Sequence, residues 1–301
     1  METVESLAFQ IRPPWQDELL RLREFMPLAV EGTTSTMFLV AVQGPLERII
    51  AAAAIVPSPT TARAAILRWR SAGRRYGTHD LLSGLFRRAA ELFRQTPSGN
   101  RLQLIDYVDA ESSEATALTD AGFEIETSQE VFEIPASEVW SRLDGLYQRL
   151  TSRNGIPSNS RIAYLTPDRL PEAAALLRRY LPEGQAALAH EHEGFKMDNS
   201  YVLLVDEAVK GLLLCRLQGE VAHIGAVLVT EDLRSGYGWA NLSLFHESLR
   251  EALDYGASRL RFTADPRLHA NTMDFARLWE SKQVGRRLLF SFVLPSKTTC
   301  D

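Results

Sequence analysis

Two stretches decide how this chain is read: "LRWRSAGRRYGTHDLL" at 67–82 and "VLVTEDLRSGYGWANL" at 227–242. Each leaves an apolar, strand-like run, passes through a turn holding glycine and arginine, and enters a helix. The first amides of a helix have no partner within it, and the helix dipole adds partial positive charge there. Glycine lets the backbone approach a ligand closely, and arginine adds charge-assisted hydrogen bonds. Such a turn suits a phosphate group, so a pyrophosphate or another phosphorylated cofactor is expected. The P-loop pattern G-x-x-x-x-G-K-[ST] is absent. "GYGWAN" keeps two of the three glycines of a dinucleotide turn, and it follows about the fourth strand of its half rather than the first.

Working outward from the turns, the first half opens with the strand-like "LAFQIRP" and the amphipathic "WQDELLRLREFMP", ended by Pro27. Strand-like "MFLVAVQG", "RIIAAAAIVP" and "ARAAILRWR" lead to the first turn. Leu81, Leu82, Leu85, Phe86, Ala89, Leu92 and Phe93 then mark one face of a helix. A strand "RLQLIDYV", a short helix "ESSEATALTDAGF" closed by Gly122, and a strand "QEVFEIP" complete the half.

The second half repeats this order. "RIAYLT" is followed by the helix "PDRLPEAAALLRRYL", the strands "SYVLLVD", "VKGLLLCRLQ" and "VAHIGAVLV", and the second turn. A helix marked by Leu242, Phe245, Leu249 and Leu253, a strand "RLRFTAD", a helix "NTMDFARLWES" and a strand "RRLLFSFVLP" follow. A displacement of about 160 residues is far too long for a solenoid repeat and points to one domain made twice. The sequence therefore predicts an α/β fold with a mixed sheet, in two similar domains at 1–136 and 161–301. Between them, 137–160 reads as an amphipathic connecting helix, "SEVWSRLDGLYQRL", and a polar linker, "RNGIPSNS".

Composition narrows the function. A chain of 301 residues with 45% hydrophobic and 24% charged residues is an ordinary globular protein with room for two cores. A net charge of −5 argues against general nucleic-acid binding. Cys215 and Cys300 fit neither a disulfide framework nor a zinc spacing, which suggests a reducing compartment. The opening "METVESLAFQIRPPW" lacks signal-peptide character, and the longest apolar run, "IIAAAAIV" at 49–56, is too short to span a bilayer. The expectation is a cytoplasmic protein with no membrane or nucleic-acid partner. "HEH" at 190–192 has no evident third ligand, so no metal site is expected, and no G-x-S-x-G elbow supports a hydrolase.

This order of elements, with a phosphate turn after the fourth strand, resembles the GCN5-related N-acetyltransferase superfamily. Two copies in one chain are similar to its tandem members, mycothiol synthase-like enzymes among them. The family's turn signature, Q/R-x-x-G-x-G/A, is approached by Arg74, Gly77 and His79 in the first half, with His79 a departure. In the second half Gly236 and Gly238 match, Leu233 stands at the Arg/Gln position, and Arg234 is one residue away. The family's closing helix is matched by Gly122 and Phe123, with Glu111 and Leu118 where Asn and Tyr are usual. Asn271 and Trp279 stand in the corresponding region of the second half.

The resemblance implies acetyl-CoA, or another acyl-CoA, as cofactor. Its pyrophosphate would lie against Arg74, Arg75, Tyr76, Gly77, Thr78 and His79, or against Arg234, Ser235, Gly236, Tyr237, Gly238 and Trp239. Its pantetheine arm would lie along Leu67, Arg68, Trp69 and Arg70, or along Val227, Leu228 and Val229, with Asn271 nearby. The implied reaction is acyl transfer to a small-molecule or peptide amine, with one copy inactive. Candidates for the base that takes the amine proton are Glu231 and His223. The acceptor pocket is expected in the loops at 28–37 and 183–199. The absence of the usual Tyr from both halves motivates a second reading, a non-catalytic module that senses acyl-CoA or binds a protein.

Overall fold

The computed structural model describes residues 9–26, 36–58, 64–73, 76–95, 99–104, 107–180, 199–234, 238–267 and 269–294. The chain forms two compact units: Met1–Ser128 with Arg286–Asp301, and Gln129–Gly285.

The first unit contains β1 (Phe9–Arg12), α1 (Glu18–Phe25), β2 (Met37–Gln43), β3 (Arg48–Pro57), β4 (Ala64–Ser71), α2 (His79–Arg94), β5 (Arg101–Leu104), the two-residue β6 (Val108–Asp109), α3 (Ser113–Asp120) and the start of β7 (Glu124–Pro135). Its last strand is the C-terminal part of β13 (Lys282–Val293). The strand order is β1-β2-β3-β4-β5-β13, with β6 also against β13. Among the described pairings of this unit only β4–β5 is parallel.

Both faces of this sheet are covered. Leu82, Leu85, Phe86 and Phe93 of α2 pack on Leu39, Ala51, Ala53, Leu67 and Phe290. Leu22 and Met26 pack on the opposite face, against Val40, Val42, Ala52 and Ala54. The alanine run of β3 follows from this arrangement, because a central strand buried on both sides needs small side chains to admit both layers. At the edge, Arg12 holds Glu18 at 2.8 Å, also pairs with Glu47, and lies 3.8 Å over the Trp15 ring. The pair with Arg12 holds the Glu18 carboxyl below its ordinary range against the opposing effect of burial. Gly122, at φ +87, ends α3.

The second unit contains the rest of β7, α4 (Ala136–Ser152), β8 (Ser160–Tyr164), a 3₁₀ turn at Pro167–Arg169, α5 (Leu170–Tyr180), β9 (Tyr201–Val205), β10 (Ala208–Gln218), β11 (Val221–Val229), the single turn α6 (Glu231–Arg234), α7 (Trp239–Asp254), β12 (Arg259–Ala264) and α8 (Ala270–Leu278). Its strand order is β7-β12-β11-β10-β9-β8, with β11–β12 the parallel pair. Val139 and Leu143 of α4 and Leu244 and Leu249 of α7 share one core with Tyr201, Leu213 and Phe262. Ala173, Leu176 and Leu177 of α5 cover the other face over Val202, Leu204, Leu212 and Leu214.

The compact units are therefore not the two halves expected at 1–136 and 161–301. The closing strand of the first half, β7, pairs with β12, from Ala264↔Glu130 to Arg259↔Pro135. The closing strand of the second half, β13, pairs with β5, as in Phe292↔Leu102. The connecting helix, expected to stand between domains, is α4 and belongs to the second unit's core. Apolar alternation specifies a strand and its buried face, but it does not specify which neighbour the strand takes.

Phe290 is fully buried in the first unit's core. We expect Phe290→Ala to lower stability by about 3–5 kcal/mol in urea unfolding. A fragment of residues 1–136 should show no cooperative unfolding, because it lacks β13. A cooperative transition in that fragment would show that β13 is dispensable.

Candidate active site

In the second unit β11 parts from β12. Their pairing runs from Val221↔Arg259 to Ile224↔Phe262 and stops. The other edge of β11 stays on β10, with a bulge at Gly225: Cys215 faces Ile224 and Leu214 faces Ala226. A bulge adds local twist and bends its strand, so β11 turns away from β12 where the pairing ends. Beyond the bulge, Gly225 is exposed, and Ala226, Val227 and Leu228 are half-buried. Val227 packs toward α7, while Ala226 and Leu228 pack toward α5. Among the described residues no backbone hydrogen bond joins this edge of β11 to β12 past Ile224, and such groups require a partner.

The strand ends at Val229, and α6 and Gly238 lead into α7. Gly238 is left-handed at φ +65, donates no side-chain cap, and precedes a first turn without acidic residues. Trp239, the first residue of α7, has its side chain buried in the α7 core. Glu231 is exposed at the start of α6, and its amide donates to the Tyr180 hydroxyl at 3.3 Å. Its neighbour Asp232 pairs with Lys210 at 3.0 Å.

His223 stands in register with Arg216 of β10 and Arg261 of β12. It is on the face opposite Ala222 and Ile224, which pack toward α7. Arg261 donates to Glu133 at 2.7 Å and Arg259 does so at 3.2 Å. Burial works to raise the Glu133 carboxyl, but the two guanidinium groups bring it below its ordinary range. Val229 lies six residues along the strand from His223, about 20 Å at the usual rise. Glu231 lies beyond Val229, so the fold does not bring the two candidate bases together.

The corresponding strand of the first unit, β4, carries different chemistry. Among the described residues the β4–β5 pairing runs to Leu67↔Leu104, and β4 runs on to Ser71 beside β3. Its register with β3 is continuous, with no bulge. Leu67 is buried, Arg68 and Trp69 are half-buried, and Arg70 is exposed. Trp69 meets Phe86 edge-on at 5.5 Å. Arg70 donates to the Phe25 carbonyl at the end of α1 at 3.1 Å. At the turn, Tyr76 packs against the core, Thr78 is exposed, and the Gly77 carbonyl accepts from Ser113. His79, the departure from the family pattern, lies 2.9 Å from Asp120 and 3.4 Å from Asp80. Asp80 places a carboxylate in the first turn of α2.

Arg74, Arg75, Ser235, Gly236, Tyr237 and the Arg234 side chain lie outside the described residues, as do "HEH", Cys300 and most of both predicted acceptor loops. Asn271 is exposed on α8. Among the described residues no group of three or more His, Cys, Asp or Glu could hold a metal, and no helix is long and apolar enough to cross a membrane.

The sequence reading missed Asp265, fully buried just past β12. Its carboxylate takes the Arg267 amide at 2.8 Å and the Arg267 guanidinium at 3.4 Å. Its own amide donates to Nδ1 of His269 at 3.0 Å, and its carbonyl accepts the His269 amide at 2.8 Å. Burial works to raise this carboxyl, but the Arg267 amide and guanidinium hold it below the usual range. Periodicity could not reveal a five-residue loop; the only signal was Asp-Pro at a strand end followed by His.

No family model matches the sequence, and no curated protein matches it. Solved structures do resemble it. A GCN5-related N-acetyltransferase from Sphaerobacter thermophilus is 14% identical at TM-score 0.51, covering 95% of each chain. A tandem GNAT protein from the clavulanic acid biosynthesis pathway is 15% identical at TM-score 0.53, covering 96% of this chain and 100% of that one. A GCN5-related N-acetyltransferase from Anabaena variabilis is 11% identical at TM-score 0.56, covering 96% and 73%. The likeness is one of fold: a mixed α/β sheet of the GCN5-related acetyltransferase kind.

A buried carboxylate whose folded pKa is depressed stabilises the fold above its unfolded pKa, and this contribution is lost as pH falls through the folded value. We expect Asp265→Asn to cost about 1–3 kcal/mol at pH 7. The wild-type advantage should shrink on acidification below about pH 4. Urea unfolding at pH 7 and pH 3 reads both effects; an equal difference at the two pH values would show that the charge does not matter.

Proposed function

We propose that this chain is an acyl-CoA-dependent N-acyltransferase, with acetyl-CoA the first donor to test, and that the donor binds in the second unit. One observation carries the assignment: β11 parts from β12 at the Gly225 bulge and leads to a helix start that has neither a capping side chain nor an acid. The free edge of β11 offers amide and carbonyl groups to an extended arm, as an added strand would use them. Ala226, Val227 and Leu228 give that edge small apolar walls. The amides at the start of α7 suit a pyrophosphate. Bound there, an acyl thioester supplies an activated acyl group: a C–N bond to the amine forms, the C–S bond breaks, and the sulfur leaves with its electron pair and gains a proton.

We assign the base to His223. It sits one residue before the last β11–β12 pair, on the face away from α7, where an acceptor can reach the foot of the parting. Glu231 stands at the phosphate end, where a carboxylate opposes the anion. In the first unit, Asp80 and Asp120 flank the turn, while Arg68 and Arg70 take the places that Ala226 and Leu228 hold in the second. These features support a non-catalytic role for that unit. The shared order of elements, with one parallel pair in each unit, supports descent from a duplicated module.

Calorimetric titration should show that wild type binds acetyl-CoA. Gly238→Asp should weaken binding at least about tenfold and Thr78→Asp should leave it within about twofold, because only the first places a carboxylate at the occupied helix start. The reverse pattern would move the site to the first unit, and no binding by wild type would end the enzyme reading. In CoA-release assays with a panel of primary amines, His223→Gln should lower kcat about 100-fold or more. Glu231→Gln should leave it within about twofold.

A further inference from the structure

Beyond the last β11–β12 pair, β12 presents its own edge to the parting. Arg259 donates its amide to the Glu220 carbonyl, beside the start of β11, while the Ser258 carbonyl accepts from Ala136 on the β7 side. Backbone groups alternate from side to side along a strand. The amides of Arg259, Arg261 and Thr263 therefore face β11, and so does that of Asp265, just after Ala264↔Glu130 closes the β7 pairing. β11 has already turned away there. The group that meets the Asp265 amide is Nδ1 of His269, at 3.0 Å, and the Asp265 carbonyl takes the His269 amide at 2.8 Å. The imidazole thus occupies the place along β12 where the next residues of β11 would have lain.

This contact fixes the tautomer. Nδ1 accepts an amide hydrogen, so the ring hydrogen is on Nε2. The ring is half-buried, and among the described residues Nε2 has no protein partner. Arg267 and the buried Asp265 carboxylate hold the loop that presents it.

We propose that His269 donates its Nε2–H to a carbonyl oxygen of the acyl-thioester arm seated between β11 and β12. The inference rests on the donor site proposed above and adds to it a side chain that the sequence reading did not single out. The role is hydrogen-bond donation rather than proton transfer, because losing the Nε2 hydrogen from this tautomer would leave an imidazolate. A fixed neutral donor of this kind orients a carbonyl and polarises it.

The test uses the full-length chain, ¹⁵N-labelled at histidine, and acetyl-CoA carbon-13-labelled at its acyl and pantetheine carbonyls. On titration with acetyl-CoA, the Nε2–H proton of His269 should move downfield and exchange more slowly with water. One labelled carbonyl carbon should move downfield on binding to wild type. That shift should be absent with His269→Phe and partly restored with His269→Gln, whose amide nitrogen can stand near the Nε2 position. Calorimetry with the same probe should show affinity reduced about three- to thirtyfold in the Phe variant and recovered in the Gln variant. Binding by wild type with no change at Nε2–H, or identical carbonyl shifts in wild type and His269→Phe, overturns the role of His269 and leaves the donor site standing. Absence of acetyl-CoA binding by wild type overturns both. The wild-type spectra do not depend on how any variant folds.

Discussion

The backbone hydrogen bonds between two parallel strands, β11 and β12, stop at Ile224 and Phe262 while both strands continue. Much of the second unit's candidate chemistry depends on this early stop. Unpaired amides and carbonyls inside a fold are costly unless they find partners. The Gly225 bulge bends one strand away, and the Asp265–His269 loop closes part of the other. A free edge then remains on β11, set between apolar residues. An elongated ligand with its own alternating donors and acceptors meets that requirement better than water alone, which is why the parting reads as a site and not as a packing fault.

Two units with one plan need not share one chemistry. In the first unit β4 carries Arg68, Trp69 and Arg70 past Leu67. One arginine is tied to the end of α1 and the tryptophan is packed on Phe86. Its helix start has Asp80, with His79 held between two carboxylates. A phosphate brought there would meet negative charge where the second unit offers none within the first turn of α7. The sequence left the working copy open, since the first turn has the fuller signature of arginine and glycine while the second half has Asn271 and the carboxylate Glu231. Signature residues report what a backbone can do; neighbours distant in sequence, Asp120 and Ser113 here, decide what it meets.

The legible part of the chain was the part written in periodicity. Apolar residues on one face of "HDLLSGLFRRAAELFR" gave α2, and the alanines of β3 lie in a strand buried from both sides. Gly122 ended its helix as its position suggested. The partners of β7 and β13 were not legible, because an apolar strand fits any antiparallel slot of the right length and face. The Asp265–His269 loop was not legible either: its hydrogen bonds join groups four residues apart through a conformation that no repeat announces. His223 was visible as a histidine on a strand, but its position at the foot of a parting could be known only from the register.

The same physics suggests why α5 matters to a site it does not line with polar groups. Its apolar face, with Leu176 and Leu177, covers Ala226 and Leu228 on the outer side of β11. That cover fixes the strand after the bulge, where the pairing with β12 can no longer do so. At its end, the Tyr180 hydroxyl accepts the Glu231 amide and so holds the first residue of the turn that leads to α7. One helix thus restrains β11 from the bulge to the turn before α7. A strand freed on one edge loses half of its hydrogen-bonded support, and packing from a neighbouring layer is what keeps such an edge in a single conformation. The helix that covers β11 is therefore as much a part of the site as the residues that would touch a ligand.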